Sequence, residues 1–183
     1  MTENLPLLRL QDAWRECERH VYHMFHAINS LRPLWPFTAE KYAGLTDEQI
    51  QDVDQFILRF SKLQDAIGGR FLPDILQYLE ELYDNRPMID KLNRLEKLGF
   101  IESTGKWQQI RDIRNKFAHD YPEDMEKNAE NLNLACETAL DLYEILNAAS
   151  AKLIHDRPGM TLGKPLPKDK PEWVRQRQES KQR

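Results

Sequence analysis

The chain has 183 residues, of which 40% are hydrophobic and 31% charged. That composition excludes a disordered chain and suits one globular domain large enough to bury roughly 70% of its unfolded surface without covalent staples. The formal net charge of −4 argues against broad electrostatic capture of nucleic acid, and no apolar run approaches the roughly 18 residues of a membrane span.

The charge is unevenly placed. Residues 158–183 hold seven Lys and Arg against three Asp and Glu, so they carry +4 and the remainder carries −8. The opening MTENLPLLRL lacks a basic n-region and a long apolar core, so no secretory signal is expected. Cys17 and Cys136 fall inside apolar helical patterns. Buried reduced thiols are therefore expected, as in a cytoplasmic protein.

In chain order, Leu7, Leu10, Trp14, Cys17, Val21, Met24 and Ile28 recur at alternating steps of three and four, which predicts an amphipathic helix over 7–31. A loop with Pro33 and Pro36 around Trp35 follows. Thr46 and Gln49 have capping-box spacing and open a second helix, with Ile50, Val53, Ile57, Phe60, Leu63 and Ile67 as its stripe. Gly68-Gly69 should break or bend it, and Pro73 fits only a first turn or a kink of the helix that resumes. A short helix is expected over 87–98, with Pro87 at its start and Gly99 in the left-handed position past its end. Another begins near 103–106 and runs to Pro122, where the residue before proline disfavours the α region. Pro122 also suits the first turn of a long last helix, where Glu123 and Asp124 would meet the positive dipole end. Met125, Ala129, Leu132, Cys136, Ala139, Tyr143, Leu146 and Leu153 mark its stripe, and Arg157-Pro158-Gly159 stops it.

No period-two alternation and no internal repeat is evident. The expected fold is all-α, an antiparallel bundle of five or six helices over residues 1–157. Residues 158–183 form a basic, proline-rich tail expected to be poorly ordered unless something docks on it, with Trp173 as a candidate anchor.

The densest chemistry lies in RDIRNKFAHDYP, residues 111–122. At 100° per residue, Ile110, Ile113 and Phe117 form an inner face. Arg111, Asn115 and His119 fall within about 80° of arc on the opposite side, with Arg114 and Tyr121 on a flank. The negative dipole end of the helix favours protonated His119, and the planar fork of Arg114 suits a phosphate. Cleavage of RNA through its own 2′-hydroxyl needs a base, an acid and a cation for the phosphate, without a metal. One helix supplies one histidine; a twofold dimer facing two such helices would supply two. An ordinary solvated helix face has the same spacing.

Arg114-x4-His119-x-Tyr121, with Asn115 directly after the arginine, resembles the R-x4-H-x-Y signature of HEPN domains, and specifically of HepT-like toxins. The resemblance implies a helical bundle over most of residues 1–155 and a dimeric, metal-independent ribonuclease with no cofactor. It assigns catalysis to Arg114 and His119, with Asn115 orienting them. It further implies a minimal nucleotidyltransferase antitoxin that transfers AMP to Tyr121. Some relatives are non-catalytic companions of nucleotidyltransferases, which is the alternative expectation. The extended N-terminus, the 31–46 loop and the basic tail depart from a compact member of that family.

Other polar groups carry weaker expectations. His20, His23 and His26 spread over about 120° of helix surface with no i, i+4 pair, so they read as solvated or interface residues, not metal ligands. Arg59 and Asp65 lie on the polar side of the second helix, and Asp65 is a candidate to orient His119 or Arg114. Gly68-Gly69 lacks the strand and lysine of a phosphate loop. Trp107 should pack inward, and no Ser/His/Asp or Cys/His arrangement is visible.

Overall fold

The apolar stripe of the first helix does what its period requires. In the computed structural model, which describes residues 4–117 and 123–175, α1 spans Leu5–Ser30 and buries Leu10, Trp14, Cys17, Val21, Met24 and Ile28. Asn4 caps it by accepting from the Leu7 N–H at 3.2 Å. A 3-10 turn, Arg32–Leu34, leads to α2, Ala39–Ala43, capped by Thr38, where the sequence suggested only loop. Tertiary contacts hold this segment in place. The buried side chain of Asn133 accepts from the Phe37 N–H at 2.9 Å and donates to the Phe37 carbonyl at 2.8 Å, so both polar groups of a buried residue are satisfied.

Helix α3, Asp47–Ala66, begins with the capping box of Thr46 and Gln49. It does not break at the glycine pair. It widens into a π turn, Ile67–Phe71, and continues as α4, Leu72–Tyr78. Pro73 sits in the first turn of α4, directly after the π turn. Helix α5, Met88–Lys97, ends in a Schellman motif: Gly99 has φ +77°, and the N–H groups of Gly99 and Phe100 donate to Glu96 and Leu95. Ser103 caps α6, Thr104–Lys116. Asp124 caps α7, Met125–Asp156, instead of lying inside its first turn. With α3, the π turn and α4 taken as one rod, the described residues form six helices, and the fold is an all-α bundle. Among the described residues no helix is long and apolar enough to cross a membrane.

Side-chain pairs give the directions. Arg9, Glu16 and His20 of α1 meet Gln77, Arg70 and Arg59 in turn, so α1 and the α3–α4 rod run antiparallel. Trp107, Arg114 and Phe117 meet Gly68, Asp65 and Phe60, so α6 is antiparallel to the same rod. Cys17 and Cys136 are buried free thiols; burial raises both thiol pKa values well above the ordinary range. Ile50 and Met125 depart from their expected stripes. Both stay exposed, near the starts of α3 and α7, and line one shallow groove.

The C-terminal segment departs most from expectation. Residues 158–175 are docked, not free. The Trp14 indole donates to the Lys164 carbonyl at 2.8 Å and Gln11 to the Thr161 carbonyl at 2.8 Å. Leu162, Leu166 and Val174 are buried, each burial contributing about 1.5–3 kcal/mol. Trp173 is the anchor: its ring meets Trp35 edge-on at 5.5 Å and its N–H donates to Asn29 at 3.0 Å. Arg175 pairs with Glu144 at 2.7 Å. The packed domain therefore continues past residue 157. The cations expected at Arg177, Lys181 and Arg183 lie outside the described residues.

The π turn can be tested through its glycines. A Cβ on Gly68 would lie 2.6 Å from Trp107 Cζ2, so Gly68→Ala is expected to cost roughly 1–3 kcal/mol. A Cβ on Gly69 would meet nothing within 4 Å, so Gly69→Ala should be neutral or stabilising by up to about 1 kcal/mol. Urea denaturation of both variants checks this, and equal midpoints would count against the close approach.

Candidate functional site on α6

The inner face of α6 is as its period requires. Trp107 and Ile110 are buried, while Ile113 and Phe117 pack half-buried against the core. The Phe117 ring meets Phe60 edge-on at 6.2 Å. At the other end, the Thr104 N–H donates to Glu96 at 2.7 Å, which ties the start of α6 to α5.

On the outer side Arg111 and Asn115 are exposed and Arg114 is half-buried. Arg114 Nη2 reaches Asp65 Oδ2 at 3.1 Å, and its Nη1 lies 3.4 Å from Asn115 Oδ1. Its Nε is buried with no partner among the described residues. The structure thus brings together Arg114, Asn115 and Asp65, three of the residues singled out in the sequence. Asp65 holds Arg114 because α6 runs antiparallel to α3 with Trp107 seated on Gly68. Arg111 stands apart, one turn earlier, on a groove shared with Asp65 and Trp107.

The helix ends sooner than its pattern suggested. Helix α6 stops at Lys116, with Phe117 as its C-cap, whereas continuation to Pro122 was expected. His119, Tyr121 and Pro122 lie outside the described residues. The expected face of Arg111, Asn115 and His119 is therefore described only for its first two members.

Sequence reasoning missed Gln64. It is 6% exposed and lines the same groove as Arg111. Its signal was available: it lies four residues after Phe60 and four before Gly68, on the inward side of α3.

Of the three histidines of α1, His20 differs from expectation, while His23 is half-buried and His26 exposed. His20 is buried, not solvated. Its Nδ1 lies 3.2 Å from Arg59 Nη1. Since the guanidinium only donates, the ring nitrogen must accept, which requires neutral histidine. Burial first, then the Arg59 cation, lowers its pKa; Arg19 adds to this and Glu16, at 3.8 Å, opposes it. Arg59 is likewise drawn inward, with its Nε buried and unpartnered among the described residues. Among the described residues no group of three or more His, Cys, Asp or Glu is placed to hold a metal ion.

No family model matches the chain, and no curated protein or solved structure shows significant similarity to it.

The His20–Arg59 contact predicts an acid sensitivity. The folded protein binds a proton at His20 less readily than the unfolded chain, whose histidine keeps the ordinary value of 6.5. Stability therefore falls as pH drops below about 6.5. His23 is lowered in the same direction, by burial and then by Arg59, so His20→Gln should flatten the fall without abolishing it. Urea midpoints measured between about pH 5 and pH 7 check this. A wild-type profile that is flat across that window would overturn it.

Proposed function

We propose that the chain is a HepT-like HEPN ribonuclease toxin that acts as a cytoplasmic homodimer and is neutralised by a minimal nucleotidyltransferase. The observation that supports this reading is Arg114. Its guanidinium is held at the end of α6 by Asp65 and Asn115, five residues before His119 in the R-x4-H-x-Y sequence.

In this reading a 2′-hydroxyl of RNA attacks the adjacent phosphorus. The bond to the 5′-oxygen breaks, that oxygen takes a proton, and a 2′,3′-cyclic phosphate remains. Arg114 stabilises the charge on the phosphoryl oxygens. His119 transfers a proton, and the twofold copy supplies the second histidine. The exposed ends of the Arg114–Asp65 pair suit this role, because a half-exposed ion pair is worth about 0–1 kcal/mol. A phosphate can therefore take the place of Asp65 at little net cost. Silencing belongs to the same reading: the Tyr121 phenol oxygen attacks the α-phosphorus of ATP, pyrophosphate leaves, and the attached AMP occupies the phosphate site.

His119→Ala in the unmodified protein is expected to abolish RNA cleavage, with a loss of at least about 100-fold, measured on labelled RNA. Full activity in that variant would reject the catalytic assignment, and complex formation with the transferase without any cleavage in wild type would favour the non-catalytic companion. Incubation with the transferase and ATP should raise the intact mass of wild type by one AMP and leave Tyr121→Phe unchanged. An equal rise in both would reject Tyr121 as the acceptor.

A further inference from the structure

The groove beside the Arg114–Asp65 pair measures about 400 Å³, near the lower end of the range typical of small-ligand sites. The π turn and α6 form its walls. Gly68 and Gly69 present no side chains to it, and Trp107 and Met88 give it apolar surface. Gln64, Asp65 and Arg111 are its polar groups.

Gln64 is the unusual member. The residue is 6% exposed, yet its carboxamide hydrogen-bonds to no described residue, and neither its oxygen nor its nitrogen is among the fully enclosed unpaired atoms. The small exposed part of this side chain is therefore its polar end, open to the groove it lines. A mostly buried amide costs free energy unless it finds a partner. One donor and one acceptor side by side match the edge of a nucleobase, adenine above all. The groove also shares Asp65 with Arg114, so an occupant of it lies next to the proposed phosphate position. The larger groove between α1 and the docked C-terminal segment, lined by Trp14, Tyr22 and Leu162, has no comparable buried, unpartnered amide.

We propose that this groove is a subsite for one unpaired nucleobase of the RNA, with Gln64 reading its edge and Trp107 and Met88 covering its apolar surface. The inference rests on the RNA reading above and adds to it the origin of base preference at the cleaved strand. Arg114 contributes through the phosphate and is indifferent to the base, whereas Gln64 contributes through the base alone.

Fluorescence anisotropy with 2′-O-methyl oligonucleotides tests it, since these lack the attacking hydroxyl and report binding without cleavage. The oligonucleotides differ at one position, which carries adenine, another base or an abasic sugar. Wild type should bind the adenine form about 10- to 100-fold tighter than the abasic form. Gln64→Met, similar in length but without hydrogen-bonding groups, should lose that ratio and keep the affinity for the abasic form. Gly69→Leu, which adds bulk at an unobstructed point of the rim, should lose it too and carries the test if Gln64→Met fails to fold. Arg114→Ala should weaken every oligonucleotide alike. Equal binding of adenine and abasic forms by wild type would overturn the subsite, even if RNA is cleaved. Discrimination by wild type without cleavage of unmodified RNA would support the subsite and overturn the ribonuclease reading.

Discussion

The arrangement around α6 depends on one contact, the seating of the Trp107 ring against the bare backbone of Gly68. Without a Cβ in the way, α6 approaches the π turn closely enough to bury the indole. That approach fixes the register of two antiparallel helices, and the pairs Arg114–Asp65 and Phe117–Phe60 follow from it at successive turns. Ile67, Phe71 and Leu72, along the widened turn and the start of α4, are all buried. Gly68 is thus a packing device, and the polar chemistry of α6 is placed by an apolar contact a few residues away.

The parts of this fold that were legible in the sequence are those set by short-range chemistry. Thr46 with Gln49, Gly99 past α5 and Ser103 before α6 satisfy backbone groups within four residues of themselves, so their spacing suffices. The stripe of α1 and the inner face of α6 were legible for the same reason, because helical period alone decides which side turns inward. What escaped depends on partners distant in sequence. The ordering of α2 rests on Asn133, 96 residues from Phe37. His20 is buried because Arg59 of α3 lies against it, and no property of the histidine spacing encodes that. The C-terminal segment has no period to read; its order comes from Trp173, Leu162, Leu166 and Val174 fitting an existing surface. Of the expected site, Asp65, Asn115 and Arg114 converge, while Gln64 was hidden because a polar residue on an inward face looks like an error in the pattern.

Two of the cations of α6 are held by carboxylates. Arg114 is neutralised by Asp65, and Lys106, farther back on the same helix, faces Glu102 and Asp141. An acidic protein that presented bare cations here would attract polyanions indiscriminately. With Arg114 and Lys106 already matched to carboxylates, what distinguishes one polyanion from another is the fit of neighbouring groups. That places the groove with Gln64 and the end of α6 at the centre of any selectivity this face has.

The docked C-terminal segment sets an order of events in the making of the molecule. The indole N–H of Trp14 finds its acceptor, the Lys164 carbonyl, 150 residues later in the chain. At a synthesis rate of about 5–20 residues per second, α1 waits roughly 8–30 s for that partner. Throughout that interval the indole N–H of Trp14 and the surface that Leu162 will cover stand open to solvent and to neighbouring chains. Docking of the C-terminal segment is therefore a late, non-local step, and contacts of such separation slow folding more than the helices themselves do. A nascent chain of this protein passes through a stage with its helices paired and the Gln11–Trp14 edge of its first helix still uncovered, the stage at which holding factors have the most to grip.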